Sequence, residues 1–129
     1  MKNVVIDTNI LVSSLWSKNS NPATIMKMII ERKLTPCYDY RILKEYTDVL
    51  NRPKFSFDTL ETHSILQTVV NNGLSIVAST QDVLLIDEDD RPFYEVAKEC
   101  NATLITGNKR HFPSEPFIMT VAEFLLMND

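Results

Sequence analysis

Three carboxylates in this sequence stand where they could hold a cation. Asp7 closes the apolar run Asn3-Val4-Val5-Ile6-Asp7 and is followed by Thr8-Asn9-Ile10-Leu11. Glu45 shares a helical stripe with Ile42 and Val49, at i, i+3 and i+7, so it lies on the side that packs. A carboxylate buried there is costly unless it is paired or metal-bound. Asp90 closes the acidic run Asp87-Glu88-Asp89-Asp90, just before Arg91-Pro92. Each has a plainer use when taken alone. Asp7 can cap a helix, Glu45 can be a solvated helix residue, and the acidic run can be a solvated loop with a capping Asp, a use that suits Glu88. Taken together, carboxylates at a strand end, on a helix face and at a helix start can converge on a hard cation. Mg²⁺ and Mn²⁺ take such oxygen ligands. No cluster competes for zinc: His63 and His111 are isolated, and Cys37 and Cys100 are far apart with no CxxC neighbour. The cysteines read as small buried apolar residues. The chemistry that suits a hard cation here is metal-assisted hydrolysis of phosphodiesters.

Short apolar runs alternate with helical patterns, and these must position the acids. Residues 3–7 read as a strand buried on both faces. Helices are expected from about Asn9 to Trp16 and from Asn21-Pro22, with Ile25, Met26, Ile29 and Ile30 in helical period. Leu34 to Tyr38 is a second strand. Arg41 to Leu50 is a helix ended by Arg52-Pro53. Asp58, with Glu61 three residues on, reads as a reciprocal cap opening a helix that stops at Asn72-Gly73. Leu74 to Ala78 is a third strand and residues 79–91 an acidic loop. Pro92 opens a helix with Phe93, Val96, Ala97 and Cys100 on one stripe. Thr103 to Thr106 and Phe117 to Met119 are the last strands, and Thr120 with Glu123 caps a final helix. Such alternation implies βαβ units with right-handed crossovers, hence an α/β fold with a parallel sheet. Ligands in such sheets bind beyond the carboxyl ends of the strands, where Asp7 and Thr106-Gly107-Asn108 fall.

The chain has 129 residues, 44% hydrophobic and 23% charged, which fits one compact domain over residues 1–129. Two glycines leave no Gly-rich phosphate loop. The formal charge of −4, from 17 acids against 13 Lys plus Arg, gives no global attraction to nucleic acid or to an anionic membrane. Bound cations and local basic patches can still invert the field at a site. Arg91 adjoins Asp90, Lys109, Arg110 and His111 follow the fourth strand, and Arg52 and Lys54 follow the Glu45 helix. These cations could contact substrate phosphates or belong to ordinary solvated loops. Asp7 and Asn9 interrupt the N-terminal apolar stretch, no small-x-small cleavage site follows, and no segment approaches the length of a membrane span. A cytoplasmic protein is expected.

In this order the motifs resemble those of the PIN domain ribonucleases, in particular the small toxins of prokaryotic toxin–antitoxin pairs. Val5-Ile6-Asp7-Thr8-Asn9-Ile10 is similar to the family's opening motif. Glu45-Tyr46, followed by Val49-Leu50, matches its helix-borne glutamate. Asp87-Glu88-Asp89-Asp90-Arg91-Pro92-Phe93, running on to Ala97, resembles its third motif, with Asp90 in the catalytic place. Leu104-Ile105-Thr106-Gly107-Asn108, then His111-Phe112-Pro113, resembles its fourth. The match covers nearly the whole chain. It implies a three-layer α/β/α sandwich with a central parallel sheet.

The resemblance further implies a metal-dependent endoribonuclease. Asp7, Glu45 and Asp90 would hold Mg²⁺ or Mn²⁺, Asn9 would steady Asp7, and Thr106 and Asn108 would line the same pocket. Hydrolysis would leave a 5′-phosphate. A cognate antitoxin would insert a segment into the acidic groove, and the protein would be a homodimer. Two positions depart from the family pattern: Asn108 stands where many members have Asp, and His111 occupies another position that is often acidic. Asp87 or Asp89 could compensate. The departures motivate an alternative, a non-catalytic PIN-like RNA-binding or scaffold module. A second rival is an Asp-based receiver or phosphatase, but Asp7-Thr8-Asn9 lacks the paired-Asp pattern of such phosphatases, and Glu45 has no role there.

Overall fold

The computed structural model describes residues 2–127. Five parallel strands form one sheet in the order β3-β2-β1-β4-β5. They are β1 (Lys2–Ile6), β2 (Leu34–Tyr38), β3 (Leu74–Ser75), β4 (Thr103–Ile105) and β5 (Ile118–Met119). The helices are α1 (Thr8–Trp16), α2 (Asn21–Ile30), α3 (Tyr40–Leu50), α4 (Thr59–Asn72), α5 (Arg91–Cys100) and α6 (Val121–Met127). The order steps outward from β1 in both directions, so right-handed crossovers place helices on opposite faces. α5 packs over β1, β2 and β4, and α2 and α4 lie against β2 from the other side, with α6 beside α2. The three-layer sandwich is therefore as expected. Val4, Val5, Ile6, Leu104 and Ile105 are almost wholly enclosed between the layers, which is why β1 and β4 read as unbroken apolar runs.

Local chemistry sets the element ends. Ser20 accepts a hydrogen bond from the Ala23 N–H and precedes Asn21-Pro22 at the start of α2. Asp39 accepts from the Ile42 N–H at the start of α3. Thr120 and Glu123 cap each other's backbone N–H at α6, as the spacing predicts. At α4 the expected reciprocal cap is only half made. Asp58 accepts from the Leu60 N–H, while Glu61 pairs with Lys18 of the α1–α2 connection. Gly73 is needed after α4 because of a close approach, not a left-handed turn. A Cβ there would come within 2.4 Å of the Pro36 carbonyl oxygen.

The third strand is shorter than its sequence suggests. β3 pairs with β2 only at Leu74 and Ser75, and the Ile76 N–H still reaches the Tyr38 carbonyl. The backbone then turns to α5, where Ser79 N–H donates to Glu99 and Gln81 N–H donates to Glu95. Helix carboxylates satisfy these donors in place of a strand ladder, and Val77 is left 93% exposed. No helix of the described residues is long and apolar enough to cross a membrane.

Candidate active site

Beyond the carboxyl ends of β1 and β4 lies a cleft of about 300 Å³. Asp7, Asn9, Glu45, Asp87, Asp89, Asp90, Asn108 and His111 all line it. Four separate segments therefore bring their acids and amides to one place. The cleft is also walled by Thr8, Arg52, Lys54 and Phe55.

Asp7 follows β1 directly, and its N–H donates to the Ile105 carbonyl of β4 at 3.0 Å. Its side chain does not cap α1. It accepts instead from the Thr106 hydroxyl at 2.7 Å, and Thr106 Oγ1 in turn accepts from the Asn108 N–H at 3.0 Å. Thr106 is fully buried and lies beneath the cleft, steadying Asp7 in the way expected of Asn9. Asn9 itself is exposed on the wall. Burial raises the Asp7 pKa above the usual carboxylate value, and the bond from Thr106 opposes this.

α3 delivers Glu45. Ile42, Tyr46 and Leu50 bury one side of this helix, and the Tyr46 hydroxyl donates to the carbonyl of Ile6 at the end of β1. That bond sets the helix against the strand end and turns the neighbouring Glu45 toward Asp7. The Glu45 carboxylate accepts from the Thr8 hydroxyl. Its pKa is raised, first by burial, then by the charges of Asp7 and Asp89, with Thr8 and Arg52 acting the other way.

Asp90 is set by the turn that opens α5. Asp87 caps it by accepting from the Asp89 N–H at 2.9 Å, and the Asp90 N–H donates to the Asp87 carbonyl at 3.0 Å. The Asp90 pKa rises to about 6, through burial first and then the charges of Asp7 and Asp87. Its Oδ2 is buried without a hydrogen bond, 3.4 Å from Nδ1 of His111. The other His111 ring nitrogen lies 3.0 Å from the Asn108 amide. The two residues that depart from the family pattern are thus joined to each other beside Asp90.

The expected cations divide. Arg91 turns away from the cleft. It donates to the carbonyls of Gln81 and Val83, both at 2.7 Å, and pairs with Glu88 and Glu95. Lys109 pairs with Glu123 of α6, and Arg110 is exposed. None of the three lines the cleft, whereas Arg52 and Lys54 do. Thr8, Phe55 and the buried Glu95 carried no role in the sequence reading. The only signal for Phe55 was its place directly after Lys54, one turn beyond the helix of Glu45.

Among the described residues, no three His, Cys, Asp or Glu side chains are close enough to enclose a cation by themselves. The donor set nevertheless fits a hard divalent ion. The three principal acids offer oxygens, Asp90 Oδ2 is buried with only the His111 ring nearby, burial disfavours all three as anions, and the charge of Asp7 adds to this at Glu45 and Asp90. An ion that keeps several waters needs few direct carboxylates.

Comparisons with known proteins agree with this architecture. A PIN domain family model matches residues 3–110. An uncharacterised protein of Methanocaldococcus jannaschii, MJ1680, is 34% identical over 109 residues, which span 82% of this chain and 70% of that protein. Among solved structures, PAE2754 from Pyrobaculum aerophilum superposes with a TM-score of 0.60 at 15% identity, over 98% of this chain and 88% of its own. VapBC2 from Rickettsia felis, solved bound to a DNA fragment from its promoter, gives 0.56 at 19% identity, over 92% of this chain and 96% of the matched one. At those identities the two structures speak to the fold.

Proposed function

The chain belongs to the PIN domain family, whose members are generally nucleases, and on that footing we propose that it is a divalent-metal-dependent endoribonuclease. Asp7, Glu45 and Asp90 are the residues that would hold Mg²⁺ or Mn²⁺. The observation that carries this reading is the cleft itself: three acids with raised pKa from three distant segments, gathered beyond the strand ends. When bound, such an ion neutralises the phosphate, activates water and stabilises the leaving oxygen.

The protein's own groups supply position. Thr106 holds one oxygen of Asp7 and Thr8 holds one of Glu45, leaving the remaining oxygens for the ion. The amides of Asn9 and Asn108 stand at the wall, within reach of an entering phosphodiester. Arg52 and Lys54 supply the positive charge that the acidic floor lacks. Cytoplasmic RNA is the substrate in this reading, and hydrolysis leaves a 5′-phosphate.

We further propose that the protein is the toxin of a toxin–antitoxin pair and works as a homodimer. The likeness of its fold to VapBC2 supports the toxin reading. An antitoxin segment bearing Arg or Lys would complement the acidic floor and block it.

The test is incubation of single-stranded RNA with the purified protein in Mn²⁺, Mg²⁺ or EDTA, with Asp7→Asn alongside. Cleavage should require the metal and be lost in the variant. Undiminished cleavage in EDTA would exclude the mechanism. RNA bound but never cleaved would instead favour a non-catalytic PIN-like RNA-binding or scaffold module. Asn108 and His111, standing where acids are common in the family, motivate that second reading.

A further inference from the structure

Beside the acidic cleft three aromatic rings meet at the surface. Trp16 is the last residue of α1 and is 62% exposed. Phe55 and Phe57 belong to the segment between α3 and α4. The two Phe rings stack at 5.3 Å with 13° between their planes, and Trp16 meets both edge-on, at 5.5 and 5.6 Å. Lys54 Nζ lies 5.1 Å from the Phe55 ring centre.

The intervening turn holds this arrangement. Ser56, between the two Phe residues, has φ of 50°, a left-handed conformation that is uncommon for a residue with a side chain. Both its N–H and its hydroxyl donate to the Pro53 carbonyl. Phe55 and Phe57 stand two positions apart, and with the turn at Ser56 between them their rings lie at stacking distance. Phe57 is anchored on the core, while Phe55 reaches the cleft wall with Arg52 and Lys54. Arg52 is near enough for its charge to act on Glu45. The cluster is therefore continuous with the candidate active site and carries the cations that site otherwise lacks.

We propose that Trp16, Phe55 and Phe57 form a stacking platform for an unpaired base of single-stranded RNA, with Arg52 and Lys54 against the adjoining phosphates. This rests on the endoribonuclease reading and names how its substrate is held. Stacked bases and flanking cations are a general means of gripping single strands, and stacking tolerates any base because every base has a π-face. A cluster that only pinned the turn to α1 would bury its largest ring, yet Trp16 is mostly exposed. An apolar protein contact would not call for a cation over the Phe55 ring and a second on the same cleft wall. A duplex offers no free base faces and should bind weakly.

Trp16 is the only tryptophan of the chain, so its fluorescence reports the platform directly. The experiment titrates the full chain with a short oligouridylate, and with an abasic oligomer of the same length and charge. Each is measured in EDTA and again in Ca²⁺. Oligouridylate should quench Trp16, and the abasic oligomer should bind roughly 5- to 100-fold more weakly. Phe55→Ala should weaken oligouridylate binding to a similar extent, and Phe55→Tyr should restore it. Equal quenching and affinity for the two oligomers would overturn the proposal, as would no binding in either condition or unchanged affinity in Phe55→Ala. Should Phe55→Ala fail to fold, the oligomer comparison on the unaltered chain still decides. Failure of the platform leaves Mn²⁺-dependent cleavage intact with no dependence on bases. Failure of the nuclease reading leaves base-dependent binding with no cleavage.

Discussion

Glu45 and Glu95 both leave a helix toward the interior, and they meet opposite company. Glu95, on α5, is only 2% exposed, and its oxygens accept from Arg41 at 2.9 Å and from the Gln81 N–H at 2.9 Å, with Arg91 at 3.5 Å. Arg41 is held in turn by Asp39. Burial alone would raise the Glu95 pKa, but these donors and cations bring it below the usual value. Glu45, on α3, is less buried and yet less well matched. One hydroxyl donates to it, Arg52 helps from a distance, and Asp7 and Asp89 oppose it, so its pKa is raised. Depth of burial does not distinguish a structural carboxylate from a candidate ligand. The balance of neighbouring charge does. The Glu95 network fastens the 79–83 segment to α5, and the acidic turn that follows supplies the cleft.

Altering the cleft should affect chemistry, and altering the network should affect stability. The largest effect is expected for Asp90→Asn, which removes the charge of the acid whose pKa is raised to about 6. RNA cleavage in Mn²⁺ should fall on the order of 10²- to 10³-fold, the scale of losing one group that stabilises transition-state charge. Circular dichroism should show the fold intact. Unaltered cleavage would remove Asp90 from the site.

Next in size is Glu95→Ala, which leaves the Gln81 N–H and two arginines without their shared acceptor. Breaking a buried ion pair in this way should cost about 3 kcal/mol in urea unfolding, a figure reduced from the upper range because Arg41 is partly exposed. A neutral result would mean that solvent already replaces these contacts.

Acidity should act on the two carboxylates in opposite senses. Asp90 titrates at about 6 in the folded chain, above the 3.8 of its ordinary value, and Asp7 and Glu45 shift the same way. Folding therefore favours their protonated forms. The stability they contribute is complete below the ordinary carboxylate range and lost as pH rises through about 6. The metal-free protein should melt higher as pH falls from about 7 toward about 5, while stabilisation by Mn²⁺ fades because protons compete for the same oxygens. Glu95, with a lowered pKa, gives stability that persists at neutral pH and is lost only on further acidification. A metal-free melting temperature that falls steadily from pH 7 to 5 would contradict the assignment.

The smallest change, Arg91→Lys, keeps the charge but loses the fork that spans the Gln81 and Val83 carbonyls. It should cost about 1 kcal/mol in the same unfolding measurement. A loss as large as that of Glu95→Ala would place the strength of the network in Arg91 rather than in Glu95.

Much of this was legible in the sequence because it is periodic or punctuated. The apolar runs of β1 and β4, the helix stripes and the caps at Thr120 and Pro92 identify their elements directly. Asp7, Glu45 and Asp90 announce themselves by standing at element ends or on a packed stripe, and the family motifs join them. What was not legible depends on partners distant in the chain. Glu95 sits between Tyr94 and Val96 on a helix buried on several sides, and nothing local reveals that Arg41, 54 positions earlier, will meet it. Arg91 looks like a phosphate contact because it adjoins Asp90, but a helix turn points it the other way. Leu74 to Ala78 reads as a full strand, yet pairing with β2 ends after Ser75, and just beyond, the carboxylates of α5 take the Ser79 and Gln81 N–H groups. Phe55 and Phe57 stand two apart, but nothing local reveals that Trp16, far back on α1, will meet both rings.

The most direct test sets Glu45→Gln beside Glu95→Gln in thermal melts with and without Mn²⁺. Gln keeps the size of Glu and can still accept from the Thr8 hydroxyl, while removing one charge. Glu45→Gln should melt at or above the metal-free parent and lose the upward shift that Mn²⁺ gives the parent. Glu95→Gln should melt lower without metal and keep that shift. The opposite pattern, with Glu45→Gln destabilised and still responsive to Mn²⁺, would mean that Glu45 is a structural partner and that the acidic cleft is not a metal site.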